Sequence, residues 1–178
     1  MKKLICLLSC IFIVGACNNK KSLQEYLVEK ENSAQFISAS LPAGTLFQNL
    51  DSLSAEQNNS LKKIEKINLL ALSKNKDSVL LQKERRDLKL ILNQPDYEPL
   101  ISFSSGNREA KLLYVGTENE IDELIFFGFD SELGLLLLRM RGDDVNASDI
   151  YQISQSTQNL NMGALPQDFG NIFENLEK

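Results

Sequence analysis

Residues 97–145, YEPLISFSSGNREAKLLYVGTENEIDELIFFGFDSELGLLLLRMRGDDV, decide the fold of this chain. The stretch contains four runs rich in apolar residues, separated by short turns of Gly, Asn, Asp, Glu and Ser. The runs cover residues 100–104, 110–115, 121–129 and 135–141. Short strands at roughly 11-residue spacing with polar turns are typical of consecutive antiparallel pairing. The stretch therefore predicts a four-stranded antiparallel meander.

Two of these four strands are apolar on both faces. Ile125, Phe126 and Phe127 are consecutive, and residues 135–138 are four leucines in a row. A strand with one wet face alternates between apolar and polar residues, whereas a strand covered on both faces does not. We therefore expect these two strands to lie at the centre of the sheet, with other elements packed on both sides.

The chain before the meander predicts three helices and two strands. Ser22 and Ser54 each precede a Glu or Gln by three residues, which is the capping-box spacing. They predict helices over residues 20–30 and 54–64, and Asp77 or Ser78 caps a third helix that ends near Asn93. Within this third helix, Lys83, Glu84, Arg86 and Lys89 are expected mostly to face solvent. Residues 36–41 and 66–73 are predicted to be strands.

The end of the chain predicts a last helix beginning near Asn146, followed by a tail of different character. The predicted fold is α+β, in the order α-β-α-β-α-β-β-β-β-α, with helices packed on a mainly antiparallel sheet. One domain is expected over residues 22–155, and residues 156–178 form a polar linker and a short amphipathic helix. The stripe of that helix (Phe169, Ile172, Phe173, Leu176) either docks on the domain or binds a partner.

The first seventeen residues have the pattern of a secretory signal. Lys2 and Lys3 precede an apolar run over residues 4–14, which is too short to span a membrane. Val14-Gly15-Ala16-Cys17 then resembles a bacterial lipobox. The resemblance implies cleavage between Ala16 and Cys17 and transfer of lipid to the Cys17 sulfur, so residues 1–16 are the predicted signal peptide and 17–21 the lipidated tether. The alternatives are an ordinary signal peptide or a cytosolic chain with an apolar start.

Residues 18–21, NNKK, bear on the destination of such a lipoprotein. An aspartate after the lipidated cysteine, which retains some lipoproteins in the inner membrane, is absent. An acidic cluster directly after the cysteine, which would resemble the surface-export signal of some bacterial lipoproteins, is absent too. The sequence therefore predicts anchoring to the outer membrane, with the domain facing the periplasm.

Composition restricts the available chemistry. The chain has no histidine and three cysteines, of which Cys6 and Cys10 would leave with the signal and Cys17 would carry lipid. His-dependent triads and His or thiolate metal sites are therefore not expected, and no glycine-rich phosphate loop is present. We predict no enzymatic activity, no cofactor and no metal. The net charge of −5, without a basic cluster, argues against nucleic acid and against anionic membrane surfaces as partners.

Two groups of acidic residues and the aromatic residues of the meander can each be interpreted in two ways. Residues 142–149, GDDVNASD, either turn the chain and cap a helix or bind a cation such as calcium; capping is favoured because the spacing is not that of a calcium loop. Residues 118–123 hold four carboxylates that form a solvated turn or, less favoured, an acid–base pair. The aromatic residues of the meander either pack the sheet or line a ligand site: Phe103, Tyr114, Phe126, Phe127 and Phe129.

The blocks LSAEQ, IEKINLLAL, KERRDLKLILNQPDYEPLISF and IDELIFFGFDSELGLLLLRMRGDDVNASDI occur in an order that resembles a family of uncharacterised Bacteroidetes-type lipoproteins, a domain of unknown function. The resemblance covers residues 22–154. It implies a lipid-anchored α+β domain without assigned catalytic residues, and only Cys17 carries a role over. The favoured function is a non-enzymatic binding or signalling module with a protein partner in the envelope. The alternative is a carrier or sensor of an apolar ligand in the periplasm, and an acid-residue hydrolase is the least favoured.

Overall fold

A computed structural model describes residues 20–75 and 77–164. The helices are α1 (Leu23–Glu31), α2 (Ala43–Leu46), α3 (Ala55–Lys62), α4 (Ser78–Leu92) and α5 (Ala147–Gln155). The strands are β1 (Ile37–Pro42), β2 (Ile64–Ser73), β3 (Glu98–Ser105), β4 (Arg108–Thr117), β5 (Glu120–Asp130) and β6 (Gly134–Val145). Short 3-10 turns cover Leu50–Ser52, Thr157–Asn159 and Met162–Ala164. The predicted α+β class is confirmed, and α2 is an additional single turn.

The strands form one six-stranded antiparallel sheet in the order β1-β2-β6-β5-β4-β3. The predicted meander is confirmed as β3 to β6, with each strand somewhat longer than its apolar run. The central strands β5 and β6 carry the sequences that are apolar on both faces, as expected. β1 and β3 are the two edge strands.

The predicted helix starts are confirmed by their caps. Ser22, Ser54 and Asn146 each form a complete capping box, and Asp77 caps α4 through the N–H groups of Val79 and Leu80. The helical stretch predicted through Ile64 is wrong at its end. Ile64 is already the first residue of β2, because α3 ends at Lys62 and the chain turns at once into the sheet.

The two faces of the sheet hold separate cores. On the first, which we call the α1–α4 face, α1 and α4 pack on buried side chains of the sheet: Leu70, Leu72, Leu113, Ile125, Phe127, Phe129, Leu135 and Leu137. On the second, the α3–α5 face, α2, α3 and α5 contribute Leu46, Leu61 and Ile153 against Ile67, Leu69, Ala71 and Leu136. Burial on both faces explains why β2, β5 and β6 are so apolar.

Residues 156–164, which the sequence predicts to belong to a polar linker, are held against the domain by specific contacts. Asn159 is buried, and its amide donates to the Ser52 hydroxyl at 2.9 Å. The backbone N–H of Gln48 donates to the Asn159 carbonyl at 2.8 Å, and Phe47 and Leu160 form an isolated β-bridge. The Asn and Ser residues of this segment thus serve as specific hydrogen-bonding groups. The predicted helix over residues 168–176, the signal and Cys17 lie outside the described residues.

Candidate binding surface

Apolar side chains on the α3–α5 face run in cross-strand rows from one edge of the sheet to the other. The first row is Ile37, Ala71, Leu136, Gly128, Ala110 and Phe103, in spatial order from β1 to β3. The second row is Ala39, Leu69, Leu138, Phe126, Leu112 and Ile101. Because neighbours in a row lie directly opposite each other, each row is a continuous apolar band.

Burial along these rows falls steeply toward β3. Leu69 and Leu136 are buried beneath the helices, and Phe126 and Leu112 are half-buried. At the edge, Ile101 is 62% exposed and Phe103 is 55% exposed. We call Ile101, Phe103, Leu112 and Phe126 the open patch.

The α1–α4 face ends differently at the same strand. There β3 presents Ser102 and Ser104, which pair with Lys111 and Glu109 of β4. Over residues 102–104 the apolar band of that face therefore stops before the edge strand, although Pro99 lies opposite Leu113 nearer the start of β3. An isolated exposed apolar residue needs no explanation, but a continuous apolar patch at the surface of a domain is typical of an interaction site.

The backbone of β3 is the second feature of this region. β3 pairs with β4 on one side, and among the described residues no strand pairs with its other side. All eight of its residues are exposed. An edge strand of this kind offers backbone hydrogen-bonding groups to another chain, and Pro99 limits such pairing near its start.

The prediction that the aromatic residues pack the sheet is confirmed for Phe127 and Phe129, which are buried. It is wrong for Phe103, since β3 is an edge strand and, among residues 20–75 and 77–164, no helix covers that part of the α3–α5 face. Tyr114 and Phe126 are intermediate. The sequence contains the relevant signal in the alternation of residues 101–104, ISFS, although the alternation does not show which face lacks a cover.

Glu84 is the clearest error of the sequence-based prediction among the charged residues. It was expected to face solvent, but it is 0% exposed between α4 and α1. The Tyr26 hydroxyl donates to one carboxylate oxygen at 2.8 Å, and the Lys30 ammonium donates to the other at 2.9 Å. Burial, followed by the charge of Glu84, raises the pKa of Tyr26 above its ordinary value. Both Glu84 oxygens are thus engaged in holding two helices together.

The acidic group of residues 142–149 caps a helix, as favoured. Asp149 completes the capping box of α5 and is buried, where it accepts hydrogen bonds from the Ser60 hydroxyl at 2.7 Å and the Lys63 ammonium at 2.8 Å. Burial alone would raise the pKa of Asp149, but the bonds from Lys63, Ser60 and the Asn146 N–H lower it overall. This carboxylate therefore joins α5 to α3. In the described part of the chain, no group of three potential ligands is placed to hold a metal ion.

The second acidic group, residues 118–123, was predicted to form a solvated turn, and this holds for only part of it. Glu123 lies within β5 on the α1–α4 face, and its carboxylate accepts from the buried guanidinium of Arg139, with Nε to Oε2 at 2.7 Å. Gln24 of α1 accepts from the same guanidinium. The pair lies at the border of the first core, where it joins β5 and β6 to α1.

Two depressions border the helices. One has a volume of about 20 Å³, is lined in part by Leu27 and Leu70, and has room for little more than water. The other is an open groove of about 640 Å³, lined by Lys20, Lys21, Asp87, Leu90, Ile91, Asn93 and Gln94. The exposed surface that lines this groove is mostly apolar, but the groove is open to solvent, whereas ligand pockets enclose most of the ligand's surface. The groove therefore does not favour the carrier hypothesis over the binding hypothesis.

Comparisons with known proteins place the chain in a family. Within residues 20–75 and 77–164, no helix is long and apolar enough to cross a membrane. No curated protein and no solved structure matches the chain. The model of the family described as Domain of unknown function (DUF4252) matches residues 30–153, which include every strand and α3, α4 and most of α5. The chain therefore belongs to the DUF4252 family.

Proposed function

We propose that the protein is a lipid-anchored envelope protein that acts as a non-enzymatic binding module, and that the open patch is its contact surface for a protein partner. The observation that carries this proposal is the exposure of Ile101 and Phe103 at the end of apolar rows that otherwise belong to the core. A partner would continue the covering layer that α2, α3 and α5 provide over the rest of this face.

The expected energetics are consistent with a binding surface. Burying a Phe or Ile side chain that was exposed contributes about 1.5–3 kcal/mol each. Such residues dominate the affinity of protein interfaces when they sit near the centre of the contact. The free edge of β3, beside Ile101 and Phe103, would add backbone hydrogen bonds if the partner contributes a strand.

Anchoring is the second part of the proposal, and the lipobox at residues 14–17 supports it. The predicted location is the outer membrane, with the domain in the periplasm. Replacement of the single acceptor thiol, Cys17→Ser, should abolish incorporation of labelled palmitate in the native bacterium. Continued labelling of the variant would contradict acylation at this cysteine.

Site-specific photo-crosslinking tests the contact surface. A photoreactive phenylalanine analogue is placed at Phe103 or, as the matched control, at Ser104, which is the next residue on the same exposed strand but points to the other face. We expect one crosslinked protein from intact envelopes at position 103 and none at position 104. Equal crosslinking at both positions, or a product containing two copies of this chain, would contradict a partner-specific surface.

A further inference from the structure

The point at which the chain enters the domain is fixed by specific contacts. The Gln94 side chain donates to the Lys21 carbonyl at 2.9 Å, and the Leu23 N–H donates to the Tyr97 hydroxyl at 3.4 Å. Both contacts hold the start of α1 against the end of α4 and the segment that leads into β3. The domain therefore has a defined end at which residue 20 emerges.

This end of the domain is close to the proposed anchor. Lys20 follows Cys17 by three residues, and an extended chain spans at most about 3.3–3.6 Å per residue. If Cys17 carries lipid, as the proposed function holds, Lys20 lies within about 10 Å of the membrane surface and the start of α1 within about 20 Å. The opposite end of α4, with Val79, then lies away from the membrane.

The surface beside the exit point has the chemistry of a lipid headgroup contact. Leu90, which lines the groove with Lys20 and Lys21, is 74% exposed. Lys111 also reaches this end, with its ammonium 3.1 Å from the Asn93 side-chain oxygen. Two acidic side chains bear on this cluster: Asp87 lines the groove and is paired with Lys83 at 2.6 Å, and Glu29 is paired with Lys21. We call Lys20, Lys21, Leu90, Asn93, Gln94 and Lys111 the anchor-proximal surface.

We infer that the anchor-proximal surface lies on the phospholipid bilayer, with Leu90 in the interfacial layer and lysine ammonium groups toward lipid phosphates. A protruding apolar side chain flanked by lysines is the combination that peripheral membrane surfaces use. The short tether favours this contact, because it keeps the surface at the membrane. In this orientation the open patch stays accessible to a partner, because it lies on the α3–α5 face, whereas Lys111 and α4 lie on the opposite face of the sheet.

Tryptophan fluorescence tests the inference directly, since the chain contains no tryptophan. Leu90→Trp and Val79→Trp are compared in the chain that begins at Cys17. Val79 is the matched control: it is 77% exposed, lies on the same helix and, three turns earlier, on nearly the same face. Each protein is coupled through Cys17, its only cysteine, to a maleimide lipid in vesicles of phosphatidylethanolamine and phosphatidylglycerol with brominated acyl chains.

We expect the bromines to quench the emission of the Leu90→Trp protein and to shift it to shorter wavelength, while the Val79→Trp protein is unchanged. Omitting phosphatidylglycerol should weaken the quenching at position 90. Unquenched emission at position 90, or equal quenching at both positions, would overturn the inference. Because the lipid is attached chemically, the result is independent of palmitate labelling in cells. Loss of labelling or of crosslinking at Phe103 would contradict the proposed function without altering the vesicle measurement.

Discussion

The two faces of this sheet use the same six strands but end differently at the sheet's edges. On the α1–α4 face, the edge strand β1 presents Ser38 and Ser40, and β3 presents Ser102 and Ser104. On the α3–α5 face, the same edge strands present apolar side chains, including the exposed Ile101 and Phe103. In the described part of the chain, α1 and α4 cover the first apolar band, whereas α2, α3 and α5 leave the β3 end of the second band exposed.

This difference separates residues that stabilise the domain from residues that are available for binding. A side chain enclosed on the α1–α4 face loses its contacts when it is truncated, and nothing replaces them. Ile101 and Phe103 of the open patch are more than half exposed, so they have few such contacts in the free protein. The predictions below use matched substitutions on the two faces and proceed from the largest expected change to the smallest.

Phenylalanine truncation provides the most direct contrast. Phe127 is 0% exposed on the α1–α4 face, so Phe127→Ala should lower the free energy of unfolding by about 3–5 kcal/mol. Phe103→Ala makes the same chemical change in the open patch and should alter it by no more than about 0.5 kcal/mol. Urea unfolding followed by circular dichroism measures both. A similar loss in the two variants would show that the open patch is a structural part of the core.

The buried Glu84 tests how α1 and α4 are joined over their face. Glu84→Gln keeps the shape but removes the charge that Tyr26 and Lys30 share, and should cost about 1–3 kcal/mol. The control is Lys74→Gln, which removes the exposed pair with Glu132 and should cost about 0–1 kcal/mol. Equal costs in the unfolding experiment would contradict a buried network at Glu84.

Asp149, on the α3–α5 face, should make the free energy of unfolding depend on pH in the acid range. Its pKa is lowered in the folded protein, whereas an unfolded Asp titrates at about 3.9. Its contribution to stability is therefore complete above about pH 4 and is lost as the pH falls through the lowered folded pKa. The difference in unfolding free energy between wild type and Asp149→Asn should be constant near neutrality and shrink below about pH 4. Asp51→Asn, at an exposed turn, serves as the control; the same acid dependence for both would contradict the assignment.

Local patterns in the sequence were sufficient for much of the fold. The capping boxes at Ser22, Ser54 and Asn146 and the apolar runs of the meander depend on neighbours a few residues away, and the structure confirms them. The burial of Glu84 depends on Tyr26, 58 residues earlier in the chain. Spacing within one helix cannot show such a partner.

The candidate binding surface depends on information that lies outside its own strand. Residues 101–104 alternate as a strand with one apolar face should. Whether Ile101 and Phe103 are covered depends on strand order and on where α3 and α5 lie, and a single strand encodes neither. Asn159 illustrates the same limit, because its side-chain amide donates to the Gln48 and Asn49 carbonyls and to the Ser52 hydroxyl, more than 100 positions earlier in the chain.

The central claim is that the open patch binds a partner and contributes little to the stability of the domain. The most direct measurement compares wild type with the double variant Ile101→Ser, Phe103→Ser, both acylated and captured from gently crosslinked envelopes. The account predicts that the protein crosslinked at position 103 is recovered with wild type and lost with the variant, while the two unfolding free energies agree within about 1 kcal/mol. Recovery of that protein with the variant, at equal stability, would contradict the account.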